Sequence, residues 1–216
     1  MKRNYFLIGG LMVIAVLVAT LTVYPHLPER VPSHWNSQGQ ADAFSAKWTL
    51  FATMPGIMVG LMVLFAGLQW LSPRHFEVDT FRSTYLYIML VVLGLFAYVQ
   101  GVSLWAAAGG HFRMDRVIMG GIGLLIALMG NVMGKVQRNF YIGIRTPWTL
   151  ANERVWYATH RFGAKVFVVG GVLALALALA GAGFWIPFAT VLVAAFSPVV
   201  YSLVYYKRLE HRGEVQ

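Results

Sequence analysis

The chain has 216 residues, of which 58% are hydrophobic and 12% charged, with a net charge of +9. A soluble domain carries about 25% charged residues, and a disordered chain combines low hydrophobicity with high charge, so both classes are excluded. What remains is an integral membrane protein, and the placement of the charges tests it.

Lys, Arg, Asp and Glu are missing from Asn4 to Pro28, Trp48 to Pro73, Ser83 to Phe112, Val117 to Gly134 and Val166 to Tyr206. A spanning helix needs about 20 apolar residues, so each of the first four stretches holds one. The fifth, 41 residues long, is too long for one span. Gly181-Ala182-Gly183-Phe184-Trp185-Ile186-Pro187 breaks it into a helical hairpin. The fold class predicted is therefore an all-α integral membrane protein of six transmembrane helices. Trp48 and Trp70 bracket the second span, 22 residues apart. At helical rise that is about 33 Å, near the thickness of the hydrocarbon layer. Continuous apolar runs exclude a membrane β-barrel, whose strands alternate. Gly56/Gly60 and Gly130/Gly134 have the spacing that lets helices approach closely.

Orientation follows from the basic residues. With the N-terminus inside, the inner segments carry Lys2, Arg3, Arg74, Arg82, Lys135, Arg138, Arg145, Arg154, Arg161, Lys165, Lys207, Arg208 and Arg212, thirteen in all. The outer ones carry Arg30, Lys47, Arg113 and Arg116, which is four. This asymmetry predicts that both termini are cytoplasmic, and it accounts for the net charge without nucleic acid. The apolar part of the first span is too long for a signal peptide and lacks a small-x-small cleavage site, so we read it as an uncleaved helix. No acid or base lies within the spans, which weighs against an ion-coupled transporter. No Walker motif occurs. The absence of cysteine excludes disulfides and thiolate chemistry.

Two loops hold the remaining polar residues. The outer loop, Pro25 to Lys47, has prolines at 25, 28 and 32 and a turn at Gln38-Gly39-Gln40, and reads as a compact ordered loop. His26, His34 and Asp42 match no zinc spacing, and no metal or other cofactor is assigned. The inner loop, Lys135 to Lys165, has six basic residues and one acid, Glu153. Thr146-Pro147 reads as an N-cap with proline at the first helical position, opening a short interfacial helix to about Phe162. Leu150, Arg154, Tyr157 and Arg161 fall on one stripe, and Glu153, Trp156 and His160 on another. Trp148, Val155 and Trp156 would dip into the bilayer. Such a loop is either a positive anchor on anionic lipid or a polar cluster of Arg145, Asn152, Glu153, His160 and Arg161. The cluster would serve as a docking face for a cytoplasmic protein, or as an acid–base pair of Glu153 and His160.

At these loops the chain resembles the SdpI family of bacterial membrane immunity proteins. The outer stretch Leu27-Pro28-Glu29-Arg30-Val31-Pro32-Ser33-His34-Trp35-Asn36, with Gly39, Asp42 and Lys47, is similar to an uncharacterised N-terminal domain that accompanies the family. The inner stretch is longer and more specific. It comprises Gly130-Asn131, Asn139-Phe140-Tyr141-Ile142-Gly143-Ile144-Arg145-Thr146-Pro147-Trp148-Thr149-Leu150, Asn152-Glu153, Val155-Trp156 and Thr159-His160-Arg161. The resemblance implies a multipass protein of the bacterial plasma membrane, non-enzymatic, giving immunity to a secreted antimicrobial peptide. It also implies signalling, by recruitment of a cytoplasmic repressor. Residues 1–73 would then form a two-helix N-terminal unit, 74–116 the third span with its connections, and 117–216 the SdpI-like unit. The candidate cytoplasmic site is Asn131, Asn139, Arg145, Thr146, Pro147, Trp148, Asn152, Glu153, Trp156, His160 and Arg161. The candidate peptide-contact residues outside are Pro32, His34, Trp35, Asn36, Gly39, Asp42 and Lys47. The alternative function is a small-molecule or lipid transporter.

Overall fold

The structure is a computed structural model that describes residues 2–71 and 78–215. Among these residues seven α-helices and one hairpin follow in chain order, besides two single turns of 3-10 helix: α1 (Lys2–Val23), β1 (Arg30–Trp35), β2 (Ala41–Ala46), α2 (Thr49–Leu71), α3 (Arg82–Ala107), α4 (Met114–Met133), α5 (Pro147–Ala151), α6 (Glu153–Leu179) and α7 (Trp185–His211). All but α5 are long and apolar enough to cross a membrane, which gives the six spans expected. Arg74, which the sequence reading assigns to the inner side, lies outside the described residues.

The helices run past the charge-free stretches. The 27 residues of α6 include Glu153, Arg154, Arg161 and Lys165. At helical rise they extend about 40 Å, against a hydrocarbon layer of about 30 Å, so its first turns project beyond the apolar layer. Trp48 and Trp70 flank α2 with 61% and 92% of their surface exposed, as bilayer-edge residues would be.

Between helices immersed in lipid there is little hydrophobic drive, so close approach and interhelical hydrogen bonds decide the packing. In the seam of α4 and α6 the approach is made by glycines. A Cβ on Gly171 would lie 2.4 Å from the Ala127 nitrogen, one on Gly123 2.7 Å from the Leu175 nitrogen, and one on Gly130 2.7 Å from the Val168 nitrogen. Gly130 thus packs as its spacing suggests. Gly56 and Gly60 do not, since a Cβ at either meets nothing within 4 Å. Helix α7 packs along α6, where Gly163 receives the Pro198 ring.

The other helices, α1, α2 and α3, share a core of Val13, Val16, Met58, Phe65, Tyr85, Met89 and Leu93. Gln100 ties them together. Its amide donates at 3.0 Å to Thr20 Oγ1 on α1 and at 3.0 Å to the Leu50 carbonyl on α2.

Two features depart from the sequence reading. The outer loop is a β-hairpin, so the fold is helical but not purely α. The inner helix does not run to Phe162. It stops after five residues, because Asn152 is extended at φ −140° and ψ 127° and caps a new helix. Leu150 on α5 therefore shares no stripe with Arg154, Tyr157 and Arg161 on α6.

Candidate functional site

The two polar loops lie at opposite ends of the bundle, and each is built by side chains that satisfy backbone groups. At the hairpin end, β1 and β2 pair antiparallel, with Arg30 opposite Ala46 and Trp35 opposite Ala41. The register shifts on either side of His34, leaving Ser33 and Asp42 without a direct partner. These irregularities bring His34 Nδ1 to 2.5 Å from Asp42 Oδ1, on an exposed face. Asn36 closes the turn, with its Oδ1 accepting from the Gln38 and Gln40 amides at 3.0 Å each. Gly39 has φ +76°, and a Cβ there would be 2.7 Å from Asp115 Oδ1, so the turn seats on the start of α4. Val31 is buried with Leu27, Leu50, Leu104 and Ala107, fixing the hairpin over α2 and α3. Lys47 bonds Glu29 at 3.0 Å and the Leu27 carbonyl at 3.4 Å, and lies over the Tyr24 ring.

Of the outer candidates, Asn36, Gly39 and Lys47 therefore build the hairpin. His34 and Asp42 form an exposed pair, and Pro32 and Trp35 are half-buried.

At the other end Asn139 is fully buried and organises the turn before α5. Its amide donates to the Gln137 and Ile142 carbonyls at 2.8 and 2.9 Å, and its Oδ1 accepts from the Tyr141 and Ile142 amides at 2.7 Å each. The Tyr141 hydroxyl donates to the Leu71 carbonyl at 2.6 Å, anchoring the turn to the end of α2. Thr146 caps α5 as expected, and Thr149 at the third helical position returns the favour. The Thr149 amide donates to Thr146 Oγ1 at 3.2 Å, and the Thr146 amide to Thr149 Oγ1 at 2.9 Å. This is a capping box with threonine in the place usually held by Glu or Gln. Thr146 Oγ1 also lies 3.0 Å from Ser202 Oγ, joining α5 to α7.

His160 is fully buried beneath this turn. Its Nε2 accepts from the Ile144 amide at 3.0 Å, and its Nδ1 donates to the Trp156 carbonyl at 2.8 Å. Holding a donor against one nitrogen and an acceptor against the other fixes a neutral ring with the proton on Nδ1. The ring stacks on Trp156 at 4.1 Å, and Trp156 Nε1 donates to the Val136 carbonyl at 2.8 Å.

The inner candidates thus divide in two. Asn139, Thr146, Asn152, Trp156 and His160 are buried and position backbone. Arg145, Pro147, Glu153 and Arg161 are exposed, and Trp148 is half-buried. Asn131 is exposed on α4 and belongs to neither group. The acid–base pair of Glu153 and His160 is not assembled, because both imidazole nitrogens are taken by backbone groups while Glu153 stands exposed beside Tyr157. Trp156, expected to dip into the bilayer, is instead at 0% exposure inside the protein. Sequence reading missed the parts played by Gly143, Thr149 and Ser202. A threonine three residues after the cap was the available signal for Thr149. Nothing local marks Ser202, which is 56 residues from Thr146.

What the surface offers at this end is basic. Arg145 bonds back to the Phe140 carbonyl, and Arg154 pairs with Glu214 at 2.8 Å. Arg161 and Lys165 are exposed on α6.

The buried scaffold lies within a segment that a family model matches. The SdpI/YfhL protein family matches residues 135–202, which take in the turn, α5, α6 and most of α7. A domain of unknown function (DUF1648) matches residues 11–59, which take in the hairpin. Immunity protein SdpI of Bacillus subtilis (strain 168) is 31% identical over 212 residues, 97% of this chain and 98% of that protein. No solved structure matches. With a relative of that identity aligned from end to end, and with the family's segment forming the inner turn and the helices beneath it, the chain belongs to the SdpI/YfhL protein family.

Proposed function

We propose that the protein is a membrane immunity protein of the SdpI type, which protects the bacterium that carries it from a secreted antimicrobial peptide. The observation that carries this is the end-to-end similarity to Immunity protein SdpI, which includes both polar loops and every span between them. We place it in the plasma membrane with both termini cytoplasmic, the hairpin outside and α5 at the inner interface. The 13:4 distribution of basic residues supports that orientation. The hairpin is the surface offered to the peptide, through the exposed His34–Asp42 pair and the neighbouring Phe44, which is 49% exposed.

The inner surface is the signalling face. Arg145 is exposed there on a turn whose backbone is fixed from beneath, and Arg161 and Lys165 are exposed on α6, an arrangement suited to an acidic cytoplasmic repressor. Proton transfer is no part of this reading, since His160 serves as a backbone clamp. A transporter reading gains no support from the relatives matched.

The test is expression in a cell sensitive to such a peptide, followed by challenge. Survival at doses that kill the parent strain is expected. Unchanged killing at full membrane expression overturns immunity. The exposed variants Arg145→Ala and Arg161→Ala separate the two roles: they are expected to reduce partner recruitment at least threefold while leaving the protein at wild-type abundance.

A further inference from the structure

We propose that the groove between α3, α4 and α6 is a binding site for an anionic phospholipid of the leaflet at the hairpin end, with Arg116 taking its phosphate. The groove encloses about 810 Å³ and is walled almost wholly by apolar side chains, Leu90 and Leu95 of α3, Leu124 and Leu128 of α4 and Leu179 of α6 among them. Gly94, Gly120 and Gly121 also line it, Gly121 by closing against the Tyr98 ring, which a Cβ there would meet at 2.6 Å.

Its charge lies at one end. Arg116, Gly120, Leu124 and Leu128 follow each other at i, i+4 spacing along α4, so the groove descends from Arg116, with Arg113 beside it, into a largely apolar trough in which Tyr87 and Tyr98 carry the other polar atoms. Four basic residues belong to the hairpin end. Arg30 donates to the Phe44 carbonyl at 3.0 Å, Lys47 pairs with Glu29 at 3.0 Å and Arg113 with Asp115 at 2.9 Å. Among the described residues Arg116 has no such partner. Its Nε is buried without any hydrogen bond. The α6–α7 connection closes over it, for a Cβ on Gly181 would be 2.9 Å from Arg116 Nη1. A buried donor with no acceptor is costly, and a phosphate diester supplies the acceptors a guanidinium fork is shaped for.

Length and symmetry select the occupant. From Arg116 to Leu128 the groove descends about 18 Å at helical rise, a little over half of a hydrocarbon layer of about 30 Å. That is the depth of one lipid in one leaflet, and too short for a partner helix that crosses the bilayer. A second copy related by a two-fold axis along the membrane normal would bring Arg116 to the level of its own symmetry mate, like charge facing like charge. The site does not depend on the immunity reading.

Basic residues at the other end also attract anionic headgroups, so the test rests on variants. The full-length protein is purified in a non-ionic detergent and loaded with dioleoyl phosphatidylglycerol or dioleoyl phosphatidylcholine. Retained lipid is counted by native mass spectrometry. Wild type is expected to keep one phosphatidylglycerol about tenfold more tightly than R116Q does. L124W, which fills the groove and leaves the charge, is expected to lose the same lipid. Phosphatidylcholine retention should not respond to R116Q. Equal retention of the two lipids by wild type overturns the proposal, as does phosphatidylglycerol binding that neither variant weakens. A dimeric mass that L124W converts to monomer assigns the groove to a second copy and overturns it as well. If R116Q does not fold, L124W decides.

Discussion

Gly143 has φ +116°, and a Cβ there would lie 2.4 Å from His160 Nε2, so this position combines a strained conformation with no space. Alanine must either push the His160 ring away or distort the turn. In each case the Ile144 amide loses its acceptor inside the protein. The cost of a left-handed non-glycine residue and of an unsatisfied buried donor together is about 2–4 kcal/mol. Gly143→Ala is therefore expected to lower the midpoint of thermal unfolding in detergent by several degrees. Gly60→Ala, where a Cβ meets nothing within 4 Å, serves as the control and is expected within about 0.5 kcal/mol of wild type. A Gly143→Ala protein that melts with the control shows that the His160 clamp does not hold the turn. The buried His160→Phe keeps the stack on Trp156 and removes both polar contacts, and its expected loss is about 1–3 kcal/mol. Stability near wild type in His160→Phe would mean that the ring is kept for another purpose, and would reopen its chemistry. At this scale the sequence was informative where a rule is local. Thr146-Pro147 opens α5 as its cap chemistry requires. The sequence was silent where the partner is remote, because neither the fit of Gly143 against His160 nor the Thr146–Ser202 contact has any local signal.

The hairpin and the break at Asn152 show the same limit among elements. Three prolines and a turn marked the outer loop as ordered, but its strands have little alternation of their own: one residue of β1, Val31, is buried and none of β2 is. What makes them strands is docking on α2 and α3 beneath and on α4 at the tip, and that is tertiary. The inner helix was read through Asn152 because apolar and polar stripes continue on both sides of it, although Asn followed by Glu is also an N-cap signature. Glycine spacing was equally ambiguous. Gly130 approaches α6 and Gly56 faces open space, and the two motifs look alike. From the docking follows a prediction for the element alone. Gly39→Val places a branched side chain against Asp115 at a positive φ, which lifts the turn off α4. Hydrogen exchange of the β1 and β2 amides is expected to quicken at least about tenfold, while amides of the α4–α6 seam keep their wild-type protection. Unchanged exchange in the hairpin would show that its strands are held by Val31 and its neighbours without the tip.

For the whole molecule, the arrangement that matters is which end faces the cytoplasm, because the hairpin and the basic turn are at opposite ends and only one orientation gives each a partner. The charge pattern of the sequence assigns thirteen Lys and Arg to one side and four to the other, and three of the four are bonded within the protein: Arg30 to a carbonyl, Lys47 and Arg113 to acids. The side with four is thus also close to neutral, since Glu29, Asp42 and Asp115 offset most of its charge. Translocation of such a segment is easy, whereas moving the six basic residues of Lys135 to Lys165 across the membrane is not. The absence of cysteine makes the orientation directly measurable, because any introduced thiol is the only one. Gln38 at the hairpin tip and Ala151 at the end of α5 are both exposed, and Gln38 takes part in the turn through its backbone amide alone, so a side-chain replacement leaves that bond in place. Gln38→Cys is expected to react with a membrane-impermeant maleimide in intact cells, and Ala151→Cys only after permeabilisation. The reverse pattern would put the hairpin in the cytoplasm, where a secreted peptide cannot meet it, and would move the basic turn away from any cytoplasmic repressor. Both halves of the functional proposal would then fail together, while the fold and the family relationship would stand.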